Sequence, residues 1–123
     1  MFKLMLLAGI GGFFGTCCRY LSNRFFLTYL KSSLPLSTFT VNILGCFLVG
    51  LILGLMNRAG IISTKLNAFL VVGFCGGFTT FSTFSYETFT LGTNGDILIS
   101  LFYVMASIII GLLAVWLGVL ISN

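Results

Sequence analysis

The sequence predicts an all-α membrane protein of four transmembrane helices, the third broken in mid-membrane. Three observations predict it. Hydrophobic residues fill 59% of the 123 positions and charged residues 7%, against roughly 25% charged in soluble domains. Mean hydropathy is +1.18. Apolar runs of about 20 residues, the length that crosses a bilayer, recur along the chain with short polar turns between them. So few charges cannot clothe a water-soluble fold, which argues against a soluble enzyme. With no histidine present, histidine acid–base chemistry and histidine metal sites are excluded.

The first span is expected at about residues 4–30. Lys3 and the apolar run to Gly15 resemble a secretion signal, but Thr16-Cys17-Cys18-Arg19 offers no small-residue cleavage site, so the segment is read as a retained helix. Lys31-Ser32-Ser33-Leu34-Pro35 ends it, because the only proline cannot continue a helix. The second span is expected at 38–57, with Ser37 or Thr38 as N-cap, closed by Arg58-Ala59-Gly60. The third, at 65–91, is interrupted by Gly73-Phe74-Cys75-Gly76-Gly77 and then a Thr/Ser-rich stretch, and Gly76-Gly77-Phe78-Thr79-Thr80 is the segment expected to break. Paired glycines there break the helical ladder, and non-helical backbone at that depth must be buried in protein or line a polar cavity. Two outcomes fit: a bound cation on the freed carbonyls, or a kink satisfied by neighbouring side chains. Gly92-Thr93-Asn94-Gly95 is a turn, and the fourth span follows at 96–122, with Asp96 at its positive N-terminal end. These spans leave room for one integral membrane domain over residues 1–123.

Glycine and charge add two further expectations. Gly11/Gly15, Gly50/Gly54 and Gly73/Gly77 each make a GxxxG spacing, with Ala8/Gly12 as a further small pair, so helix backbones should approach closely. The four cysteines, Cys17, Cys18, Cys46 and Cys75, lie in apolar stretches without a CxxC pair and read as buried small hydrophobes. The six basic residues are scattered, which gives no nucleic-acid surface. With four spans, Lys3, Arg58 and Lys65 share one side of the membrane. Arg24 and Lys31, with Arg19 if it reaches that interface, take the other. The positive-inside rule has almost no bias to act on. The chain is therefore expected to insert in both orientations and to pair as an antiparallel, dual-topology homodimer.

Polar residues at helical spacing converge into seams. Thr38, Asn42 and Gly45 share a face of the second span. Ser100, Tyr103 and Ser107 share one on the fourth. On the third, Phe81, Phe84 and Thr88 form a stripe flanked by Ser82, Ser85 and Tyr86 and by Thr80, Thr83 and Glu87. The seams offer hydroxyl and amide donors with no carboxylate before Glu87, whereas cation and proton pathways place Asp or Glu in mid-membrane. Arg19 is the charge nearest mid-membrane. The positive edges of Phe81 and Phe84 suit a small anion. From spacing alone, packing accounts for the same pattern: hydroxyls bond their own helix, Asn42 glues two helices, and Arg19 snorkels to an interface.

The run Gly73-Phe74-Cys75-Gly76-Gly77-Phe78-Thr79-Thr80-Phe81-Ser82-Thr83-Phe84-Ser85-Tyr86-Glu87 resembles the third-helix signature of the Fluc (CrcB-type) fluoride channels. Gly11-Gly12-Phe13-Phe14-Gly15 with Arg19-Tyr20 resembles the first-helix motif of that family. Thr38 to Phe47, centred on Asn42, resembles its second-helix motif. The resemblance extends over all four spans. It implies a dual-topology homodimer in the lipid bilayer of a bacterial inner membrane, with two fluoride pathways built from both subunits. It implies that Phe81 and Phe84 meet fluoride through ring edges, that Asn42 donates to the ion, and that Ser82, Thr83 and Ser85 add a polar track. Tyr103 and Ser107 join on their shared stripe. Gly76 and Thr79 would offer backbone carbonyls to a structural Na⁺ at the dimer centre, and Arg19 would sit by an aqueous vestibule. The implied function is passive export of fluoride, without catalysis. A small multidrug/proton antiporter is the main rival, since such proteins are also short, four-helix and dual-topology. They rely on a buried Glu in the first helix, and residues 1–86 contain no acidic group. A non-conducting membrane scaffold leaves the broken helix and converging donors without a purpose.

Overall fold

A computed structural model describes residues 1–123 and is entirely helical. Helix α1 spans Phe2–Tyr29 and α2 spans Leu36–Arg58. The third span runs from Thr64 to Thr93 in two pieces: α3 over residues 64–78 and α4 over Phe81–Thr93. Helix α5 spans Ile97–Ser122. All four spans are long and apolar enough to cross a membrane.

The helices associate as two pairs, α1 with α3 and α2 with α5. Small residues make both seams. In the first pair, a β-carbon added to Gly15 would lie 2.8 Å from the backbone nitrogen of Phe78, and one on Gly77 would lie 2.6 Å from the Gly12 carbonyl oxygen. In the second, one on Gly118 would lie 2.7 Å from the backbone nitrogen of Leu51. The expected Gly11/Gly15, Gly73/Gly77 and Gly50/Gly54 faces lie in these seams, joined by Gly118 of α5, and they work by letting backbones approach. Within α3, Asn67–Cys75 is wound wider than an α-helix, with each N–H reaching back five residues. That segment presents Gly73 to Ala8 and Gly11 of α1.

Three expectations need correction. Within the expected Gly76–Thr80 segment the break falls at the threonines and not at the paired glycines: Gly76 keeps helical dihedrals (φ −63°, ψ −37°). The extended residues are Thr79 (φ −86°, ψ 161°) and Thr80 (φ −150°, ψ 117°). The glycines are spent on close packing against α1, and β-branched threonines take the extended backbone that suits them. The second span starts at Leu36 after Pro35, so neither Ser37 nor Thr38 caps it; Thr38 is used elsewhere. Finally, Cys17 and Cys18 point outward, and only Cys75 is fully buried.

The single chain buries little of itself. Only 18 of 123 residues are buried, and α4 has none. Lipid accounts for the apolar outer faces of α1 and α5, but α4 carries hydroxyls on its open side.

Candidate functional site

The site forms at the break, where the third span leaves α1 and α4 begins to pack on α5 and α2. Thr79 and Thr80 interrupt the third span, and Thr80 caps α4 by accepting from the Thr83 N–H at 3.3 Å. The Thr80 hydroxyl also donates to Thr83 Oγ1 at 3.1 Å and lies 3.4 Å from Ser82 Oγ. Asn42 of α2 faces the break. Its Oδ1 accepts from the Thr80 N–H at 2.8 Å, and its Nδ2 donates to the Thr80 carbonyl at 3.2 Å. The Thr80 N–H has therefore left the Gly76 carbonyl, four residues back, and no N–H donates to the Thr79 carbonyl.

Two cavities meet at Thr80. The first, about 350 Å³, is mostly polar and opens beside Arg19, Tyr20, Asn23, Thr38, Thr83 and Glu87. The second, about 370 Å³, includes Asn42, Thr79, Phe81, Phe84 and Ser107 in its walls. The rings of Phe81 and Phe84 lie 5.9 Å apart, tilted by 42°. Phe84 continues to Tyr103 at 5.1 Å. Phe81 is 80% exposed on the hydroxyl-rich α4. Ser107 Oγ is buried and has no hydrogen-bond partner. A hydroxyl on a membrane helix ordinarily bonds its own backbone, so this one is a donor left over.

The structure thus brings together Asn42, Phe81, Phe84 and Ser107 around one cavity, and places Arg19 and Thr83 on the other. Tyr103 touches this set through Phe84, and its hydroxyl donates to Glu87 at 3.0 Å. Ser82 lies by the Thr80 hydroxyl. Ser85 is half-buried on α4. Gly76 is exposed and Thr79 half-buried, one on each side of the final turn of α3.

Sequence reasoning missed two members. Glu87 reads as an end-of-helix carboxylate, yet its oxygens accept from Thr38 at 2.7 Å and from Tyr103, joining α2, α4 and α5. The spacing of Thr38 and Asn42 was the available signal, because it puts both on the face that meets α4. Thr80 reads as one threonine among several, and only the position of the break singles it out.

The family model described as "CrcB-like protein, Camphor Resistance (CrcB)" matches residues 6–119. The chain belongs to the CrcB family. Among CrcB relatives, one from Flavobacterium psychrophilum is 38% identical over 121 residues, covering 98% of both chains. One from Geotalea daltonii is 42% identical over 117 residues, covering 95% of this chain and 94% of its own. One from Methylobacillus flagellatus is 42% identical over 119 residues, covering 96% and 92%. Each of the three is named "Fluoride-specific ion channel FluC". The match runs through every span of this CrcB chain, including the break and both cavities.

Proposed function

We propose that this protein is a passive, fluoride-selective channel that lets fluoride leave the bacterial cell across the membrane it spans. Membership of the CrcB family, with relatives named as fluoride channels along nearly their whole length, supports the activity. One structural observation carries the reading to particular residues. The phenylalanine pair, Asn42 and the unpartnered Ser107 hydroxyl surround a single cavity in the membrane.

Fluoride is small and holds its water tightly, so a pathway has to replace that water with close donors. Hydroxyl, amide and ring-edge contacts do this at moderate strength and at several sites, which lets the ion leave again. Asn42 has one Nδ2 hydrogen beyond the bond to Thr80, and Ser107 has its whole hydroxyl. Arg19 raises the anion concentration in the first cavity, with Thr83 beside it. Ser82 and Ser85 extend the donors along α4, while Tyr103, whose hydroxyl is committed to Glu87, contributes its ring beside Phe84. No chemical step occurs, and the inside-negative potential drives the ion outward.

The functional unit in this proposal is an antiparallel homodimer with two pathways. The balanced charge supports dual topology, and the uncovered polar face of α4 supports a second copy against it. Gly76 and Thr79 suit a structural Na⁺ between the copies. Their carbonyls have lost or lack the N–H partners that a continuous helix would supply, and carbonyl oxygens suit a hard cation. When bound, Na⁺ would supply fixed positive charge that holds the two breaks together.

Current across a planar bilayer under a fluoride gradient tests the activity. The expected current reverses at the Nernst potential of fluoride and ignores a pH gradient. A reversal potential that moves with the proton gradient would mean coupled transport. Reporters fused to the C-terminus should signal from both sides of the membrane, and a one-sided signal would remove the antiparallel dimer.

A further inference from the structure

We propose that Asn42 is the positioning residue of the helix break. Its amide closes on both backbone groups of Thr80 and so sets the direction of the Gly76 and Thr79 carbonyls. The inference rests on the cation reading above and adds to it that one side chain couples the cation site to the anion cavity.

The hydrogen-bond accounting at Thr80 carries the argument. In hydrocarbon every backbone polar group needs a partner within the protein. Thr80 has neither of the bonds that a continuous helix would give it. Its N–H and its carbonyl bond only to Asn42, at 2.8 and 3.2 Å. An asparagine amide presents an acceptor and a donor side by side, as a neighbouring peptide does. Thr80 can therefore stay extended, at φ −150° and ψ 117°. Without the amide, an α-helical Thr80 would return its N–H to Gly76 and continue the helix through Thr79, removing both free carbonyls. The Thr79 hydroxyl reinforces the arrangement by donating back to the Cys75 carbonyl at 2.9 Å.

The same amide faces the Phe81–Phe84–Ser107 cavity. Anything that moves Asn42 toward an ion in the cavity pulls on Thr80, and anything that fixes Thr79 steadies Asn42. Cation binding should thus be weakened by a substitution at Asn42, although Asn42 does not touch the cation.

The test reads Na⁺ binding without reading flux. The thermal midpoint of purified protein is followed against Na⁺, with N-methylglucamine replacing it at constant ionic strength. The wild-type midpoint should rise with Na⁺. Asn42→Ala should need about tenfold more Na⁺ for the same rise, the cost of about one buried hydrogen bond. Phe81→Ile, which stops conduction in this account, should keep the wild-type Na⁺ dependence. An Asn42→Ala protein with wild-type Na⁺ dependence would overturn the proposal. Where Asn42→Ala does not assemble, Asn42→Gln moves the clasp by one methylene and is read in the same way; an unchanged Na⁺ requirement again overturns it. A wild-type midpoint indifferent to Na⁺ removes the cation reading instead. The clasp is then decided by hydrogen exchange at the Thr80 amide, expected to be slow in wild type and about tenfold faster in the Asn42 variant; equal rates reject it.

Discussion

The two halves of the third span differ in composition and in what they bury. The first, residues 64–78, is apolar and glycine-rich, and it buries Ala68, Gly73, Cys75 and Phe78 within its own chain. The second, Phe81–Thr93, is rich in threonine, serine and phenylalanine and buries nothing fully. Packing consumes the side chains of the first half. The second half holds its donors and rings open, and that is where the cavities lie. The Asn42 clasp stands at the boundary and allows one span to hold both kinds of helix.

The comparison predicts that substitutions in or against the two halves fail in different ways. Gly15→Val should have the largest effect, because its side chain meets the α3 backbone at Phe74 and Phe78. Overpacking of this kind costs about 1–3 kcal/mol or more, and against backbone we expect no assembled protein by size exclusion. Phe81→Ile should leave the fold of the chain intact, since the ring is 80% exposed in it, and abolish fluoride flux. A Phe81→Ile protein that conducts normally would erase the distinction between the halves. Ser107→Ala removes the unpartnered hydroxyl. It should cost no stability and lower flux by about tenfold, as one lost donor contact to an ion does. Tyr103→Phe should have the smallest effect. It frees one Glu87 oxygen from a 3.0 Å bond and should lower stability by about 1 kcal/mol in denaturation, with the phenyl ring still against Phe84.

Much of this was legible in the residues. Hydropathy and turn chemistry mark four spans, because a bilayer demands about 20 apolar residues and each connection here carries Pro or Gly. Spacing puts Asn42, Phe81, Phe84 and Ser107 on facing stripes, and they line one cavity. The break lies in the expected Gly76–Thr80 segment but at its threonines, which shows the limit of such reading. Glycine weakens a helix, but here Gly73 and Gly77 are held helical by contact with α1, and tertiary packing overrides propensity. The extended residues are fixed by a side chain 38 positions away, which no local pattern reports. Glu87 was passed over for a similar reason: its partners Thr38 and Tyr103 come from two other helices.

The central claim is that this CrcB protein conducts fluoride selectively and passively. The most direct measurement is efflux from liposomes holding the purified protein in Na⁺. Fluoride and chloride are followed in parallel with ion-selective electrodes, and valinomycin and K⁺ balance the charge. Rapid fluoride efflux with chloride retained is the predicted result. Equal efflux of both anions, or no fluoride efflux from assembled protein, would contradict the account.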